Sequence, residues 1–78
     1  MKFIVYGKSN CKYCNLAKNL LIRNNLEHTY LEVQKDITKE ELEADLEMKV
    51  STVPQIVRVD QAFEYIGGYD SLVKYLGE

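Results

Sequence analysis

A mixed four-stranded α/β sheet with helices on both faces follows from three features of this 78-residue chain. Apolar runs of strand length alternate with stretches of helical spacing through the first half, two short apolar runs adjoin later, and one amphipathic segment closes the chain. The resulting order is β-α-β-α-β-β-α. Its opening β-α-β unit requires parallel strands joined by a right-handed crossover, whereas the later pair of runs requires an antiparallel hairpin, so the sheet must be mixed.

Each element has a local warrant. Phe3-Ile4-Val5-Tyr6 is an unbroken apolar run ended by Gly7, the pattern of a central strand buried on both faces. After the loop Lys8-Ser9-Asn10, Ala17, Leu20 and Leu21 recur at helical spacing up to Asn24-Asn25, so a helix opens near Cys11 or Lys12. From His28 to Val33 the chain alternates, Thr29, Leu31 and Val33 on one side and His28, Tyr30 and Glu32 on the other, as in a half-covered strand. His28 reads there as an exposed or locally bonded residue. Thr38-Lys39-Glu40-Glu41 fits a capping box ahead of Leu42 and Leu46, one turn apart, and the acidic run Glu40, Glu41, Glu43, Asp45 and Glu47 reads as that helix's solvated face. Ile56 to Val59 and Ala62 to Ile66 form the hairpin strands, joined at Asp60-Gln61. Gly67-Gly68 ends the second strand, and Asp70 or Ser71 is expected to cap a last helix carrying Leu72, Val73, Tyr75 and Leu76.

Composition narrows the function. No repeat, low-complexity tract or Pro/Gly/Ser linker divides the sequence, so one domain is expected over residues 1–78. Ten Lys+Arg against twelve Asp+Glu give a net charge of −2 with no basic cluster, which leaves phosphate backbones little to hold. Nucleic acid is not expected as a partner. The longest apolar run is far shorter than the roughly 20 residues that span a bilayer, and no signal-peptide pattern is present, so a cytoplasmic protein without a membrane partner is expected.

The two cysteines, Cys11 and Cys14, are the only ones in the chain. A disulfide closing so short a loop removes little unfolded-state entropy, so a structural staple explains them poorly. At the mouth of a helix, Cys11 would meet unpaired backbone N–H groups and the positive end of the helix dipole, which favour a thiolate. Lys8 and Lys12 add positive charge, and Cys14, one turn further in, would be less exposed. That asymmetry describes an attacking and a resolving thiol. A Cys-x-x-Cys pair is also found in metal sites and as an inert pair; for a zinc site the only further Cys or His is His28, and no metal is expected.

Three segments carry a resemblance. Tyr6-Gly7-Lys8-Ser9-Asn10-Cys11-Lys12-Tyr13-Cys14, Thr52-Val53-Pro54-Gln55 and Ile66-Gly67-Gly68-Tyr69-Asp70-Ser71-Leu72 resemble the signature segments of glutaredoxins, in order and at matching spacing. The resemblance implies a thioredoxin-like fold, dithiol–disulfide exchange, and glutathione as co-substrate with no tightly bound cofactor. It makes Cys11 the nucleophile and Cys14 the resolving thiol. It sets Lys8 against a glutathione carboxylate, Tyr13 beside the tripeptide, Thr52 and Val53 at its cysteinyl backbone with Pro54 cis beside them, and Gly68, Tyr69, Asp70 and Ser71 at its γ-glutamyl end. The physics agrees: a helix N-terminus binds carboxylates, and an extended Val53 before proline can pair with a peptide like an added strand. Expected partners are glutathione and disulfide-bearing proteins, ribonucleotide reductase being a family possibility, and the chain is expected to be monomeric. Two positions depart from the family pattern. Lys12 stands where proline is usual, and Ser71 where an acidic residue is usual. These departures keep open a redoxin recharged by thioredoxin reductase, and a carrier of an iron–sulfur cluster ligated by Cys11 and glutathione is the alternative outside the reductases.

Overall fold

The structure, a computed structural model, describes residues 1–78. Its elements are β1 (Lys2–Gly7), α1 (Lys12–Arg23), β2 (Glu27–Glu32), α2 (Lys39–Leu46), β3 (Gln55–Arg58), β4 (Glu64–Gly67) and α3 (Tyr69–Leu76). The sheet order is β2-β1-β3-β4, with β1 parallel to β2 and antiparallel to β3, and β3 antiparallel to β4. This is the expected mixed sheet of the thioredoxin-like class, with β1 inside it.

The pleat of β1 sends alternate side chains to opposite faces, and each face has its own apolar cluster. Phe3 and Val5 join Ile56 beneath Ala17, Leu20 and Leu21 of α1 and Leu72 of α3. Tyr6 joins Val57, Val33 and Val50 beneath Leu42 of α2, with Ile4 packed against that group. Helices therefore cover both faces, α1 and α3 on one and α2 on the other. No helix is long and apolar enough to cross a membrane.

The capping box forms as written in the sequence: the Glu41 N–H donates to Thr38 Oγ1 and the Thr38 N–H to Glu41 Oε1, each at 3.0 Å. The acidic run is more than a solvated face, because the Val50 N–H donates to Glu43 Oε2 at 2.8 Å and ties the chain after α2 back onto it. His28 Nδ1 lies 3.4 Å from the Leu26 carbonyl, a local contact.

Three boundaries differ from expectation. The second strand ends at Glu32; the Val33 N–H still donates to the Gly7 carbonyl at 2.8 Å, but Val33 pairs with Ile37 in an isolated bridge. The hairpin connection spans residues 59–63 rather than a two-residue turn. Arg58 grips Asp60 through Nε at 2.6 Å and a second nitrogen at 3.0 Å, while the Val59 N–H donates to the Lys2 carbonyl, so the chain keeps following β1 before it turns. Ala62 and Phe63 are consequently exposed outside the strand. The last helix starts at Tyr69 with Gly68 as its N-cap and no side-chain cap, so Asp70 and Ser71 lie inside its first turn. Gly67, at φ +121°, makes the sharp change of direction that brings the helix start forward.

Candidate active site

The Cys-x-x-Cys segment is positioned by what precedes it. Asn10 adopts φ 57°, a left-handed conformation that asparagine tolerates, and turns the chain from the loop after β1 into α1. Cys11 is the N-cap of that helix. Its sulfur accepts a hydrogen bond from the Cys14 N–H at 3.2 Å, doing for an otherwise unpaired donor what a serine or aspartate oxygen usually does. Cys11 and Cys14 are joined as a disulfide. Cys14 is fully buried, Cys11 is partly exposed, and the expected asymmetry of the pair is present.

Tyr30 fixes the floor of the loop. Its hydroxyl donates to the Lys8 carbonyl at 2.8 Å, and Lys18 Nζ lies 4.9 Å from the centre of its ring. Burial raises the Tyr30 hydroxyl pKa, and Glu32 adds to the shift, so this donor keeps its proton. Gly7 fits only because it lacks a side chain: a Cβ there would collide with the Tyr30 phenol and stand 3.0 Å from Cys14 Sγ.

The three segments singled out in the sequence converge. Tyr13, largely exposed, meets Tyr69 at a centroid distance of 6.1 Å, joining the Cys-x-x-Cys helix to the start of α3. Gly68 approaches the Pro54 carbonyl so closely that a Cβ on it would make van der Waals contact at 3.7 Å. Lys8, Thr52 and Val53 share one groove of about 120 Å³ with Val33, Leu42, Val50 and Ser51. The Val53–Pro54 peptide bond is cis. Lys12 lies outside the groove, its Nζ 5.9 Å from the centre of the Tyr13 ring, and Asp70 and Ser71 are exposed at the start of α3.

Two contributors escaped the sequence reading. Lys39 lines the same groove as Lys8, giving it a second cation. Its signal was available: it occupies the first position of α2, where a positive charge opposes the helix dipole and is locally unfavourable. Gln55, almost fully buried, donates through Nε2 to the Thr52 carbonyl at 2.9 Å, which no periodicity could announce.

A Cys-x-x-Cys disulfide at the start of the first helix, on a four-stranded mixed sheet with helices on both faces, defines a thioredoxin-like redox protein. Residues 3–63 match the family model Glutaredoxin. Glutaredoxin 1 of Escherichia coli strain K12 is 36% identical over an alignment 84 residues long, covering 100% of this chain and 95% of the relative. The oxidised E. coli glutaredoxin solved by NMR superposes with a TM-score of 0.75 at 34% identity, covering 100% of this chain and 95% of that one. A buckwheat glutaredoxin solved in complex with glutathione shares the fold, with a TM-score of 0.73 at 23% identity over 95% of this chain and 66% of that one. The chain belongs to the glutaredoxin family, and it is a thiol–disulfide oxidoreductase.

Proposed function

We propose that this chain is a glutathione-dependent dithiol reductase of protein disulfides and of protein–glutathione mixed disulfides, acting as a monomer in a reducing compartment such as the cytoplasm. One observation carries the reading: the partly exposed Cys11 sulfur accepts the Cys14 N–H at the start of α1, a helix entered from a loop whose Lys8 lines a groove together with Lys39. That N–H and the helix dipole favour negative charge on Cys11 sulfur when the disulfide opens. The Cys11 thiolate attacks one sulfur of a substrate disulfide, forming a mixed disulfide and releasing the other sulfur as a thiolate. With a protein disulfide, Cys14 then attacks Cys11 sulfur, the substrate leaves fully reduced, and the Cys11–Cys14 disulfide remains. Two glutathione molecules reopen it: the first forms a mixed disulfide at Cys11, and the second releases oxidised glutathione.

The same geometry supports a pose for the tripeptide. Lys8 and Lys39 would receive its glycyl carboxylate, the Val53 backbone would pair with its cysteinyl residue, and Tyr13 would flank it. Its γ-glutamyl end would meet Gly68, Tyr69, Asp70 and Ser71, where the first turn of α3 offers free N–H groups.

The test is to supply oxidised protein with glutathione, glutathione reductase and NADPH, and separately with thioredoxin, thioredoxin reductase and NADPH. Faster reduction in the glutathione arm supports the proposal; reduction in the thioredoxin arm alone overturns the choice of electron source. Cys11→Ser should abolish all exchange. Cys14→Ser should still remove glutathione from mixed disulfides while losing reduction of protein disulfides, and equal loss of both activities would reverse the assignment of roles.

A further inference from the structure

Residues 51–54, the loop at the centre of the proposed site, take part in none of the sixteen backbone–backbone hydrogen bonds outside helices and strands, and lie in no helix or strand themselves. A segment that must present its backbone to a ligand at fixed geometry is thus left without a ladder to hold it. Its polar tether is a side chain. Gln55 Nε2 donates to the Thr52 carbonyl at 2.9 Å and lies 3.3 Å from Thr52 Oγ1. The amide is held from its other end, because the Tyr65 hydroxyl donates to Gln55 Oε1 at 2.6 Å. Gln55 is 6% exposed, whereas Tyr65 stands on the surface of β4 at 44%. Accepting from Tyr65 fixes the amide oxygen toward β4, and the amide nitrogen must then face Thr52.

We infer that Tyr65 and Gln55 form a positioning device, a two-bond relay from β4 that holds the Thr52 carbonyl inward and so keeps the backbone N–H and C=O of Val53 available to the substrate. The inference rests on the glutathione reading above and adds to it residues remote from the sulfur chemistry. Thr52 spends its carbonyl inside the protein, so the strand-like pairing with a peptide falls to Val53. Neither Tyr65 nor Gln55 hydrogen-bonds to the cysteines. Their loss should weaken recognition without impairing the reactivity of the dithiol.

The experiment compares the parent with Tyr65→Phe, which removes only the hydroxyl, and Gln55→Met, which removes both ends of the relay while keeping its length. Steady-state kinetics with a glutathionylated peptide give KM and kcat. Reduction of the Cys11–Cys14 disulfide by dithiothreitol reports on the dithiol alone, and NMR relaxation of the Thr52 and Val53 amides reports on the loop without ligand. Losing one such hydrogen bond should raise KM about three- to tenfold for Tyr65→Phe, and further for Gln55→Met. The kcat and the dithiothreitol rate should stay within about twofold, and the two amides should become more mobile. A parent that saturates while both folded variants keep its KM overturns the relay and leaves the glutathione reading standing. A parent that never saturates with the glutathionylated peptide overturns that reading, and the relay's role with it. A dithiothreitol rate that falls in step with the rise in KM would show general damage to the fold and also overturn the relay.

Discussion

Ser71 shows how one side chain can set the demand for a ligand. It stands at the third position of α3, exposed and inside the turn whose N–H groups are free, and its Oγ lies over Gly67. A carboxylate there would complement the helix dipole and could pair with the ammonium of a γ-glutamyl group. Ser71→Asp should therefore lower the glutathione concentration needed for half-maximal rate, by about 1 kcal/mol or fivefold, and the gain should shrink with salt. Unchanged glutathione dependence would mean either that Asp70 already fills the role or that the γ-glutamyl end binds elsewhere, and its placement at Tyr69, Asp70 and Ser71 would be withdrawn. A second prediction concerns Gly7, where Gly7→Ala should be destabilising by about 1–3 kcal/mol in urea unfolding, because the new methyl collides with the Tyr30 ring. Both residues were legible as motif members, yet the reason for Gly7 was not, since it lies in contacts with Tyr30 and Cys14 that only the fold brings together. Gln55 stayed hidden for the same cause, since the Tyr65 hydroxyl that orients its amide comes from another strand, and Lys39 shares a groove with Lys8 only once the chain is folded.

Elements whose signals are local were readable before any tertiary contact was known. The capping box at Thr38 formed because its two hydrogen bonds span four residues, and the Phe3–Tyr6 run became the inner strand because only a doubly covered position accepts four consecutive apolar side chains. The hairpin resisted reading because a bond to another strand, from the Val59 N–H to the Lys2 carbonyl, carries the chain past Arg58 before it turns, and the start of α3 because the backbone conformation at Gly67, rather than a side-chain cap, sets it at Tyr69. Thr38→Ala tests the local case. It removes the acceptor for the Glu41 N–H and should cost about 1 kcal/mol in urea unfolding, with the β3–β4 hairpin unchanged by NMR. The loss should also loosen the Val50 end of the groove, because the Glu43 bond to the Val50 N–H is held by the same helix.

The molecule as a whole is a thin sheet with two separate apolar clusters, and a polar tie secures each side. On one side, the Thr38–Glu41 box ties down the first turn of α2; on the other, Arg58 joins Asp60 to the Tyr75 hydroxyl of α3, which donates on to Glu64 of β4. Both ties contain a carboxylate that prefers to be ionised. The Thr38 N–H, then the Thr38 hydroxyl, lower the Glu41 pKa, and hydrogen bonds from Arg58 hold Asp60 well below the ordinary carboxylate range. A carboxyl depressed in the folded state stabilises it fully above the unfolded value, near pH 4, and that contribution fades as pH falls from there through the folded value. Melting temperature should hence stay level from about pH 7 to about pH 5 and fall below about pH 4, with both faces of the sheet loosening together. Asp60→Asn and Glu41→Gln each remove a titrating group while leaving a side chain that can still accept a hydrogen bond. Each variant should melt slightly lower at neutral pH and lose less on acidification, and the double variant should have the flattest profile. Because both groups are exposed, added salt should compress these differences. A double variant whose melting curve runs parallel to the parent's across the acid range would assign the acid sensitivity to other carboxylates.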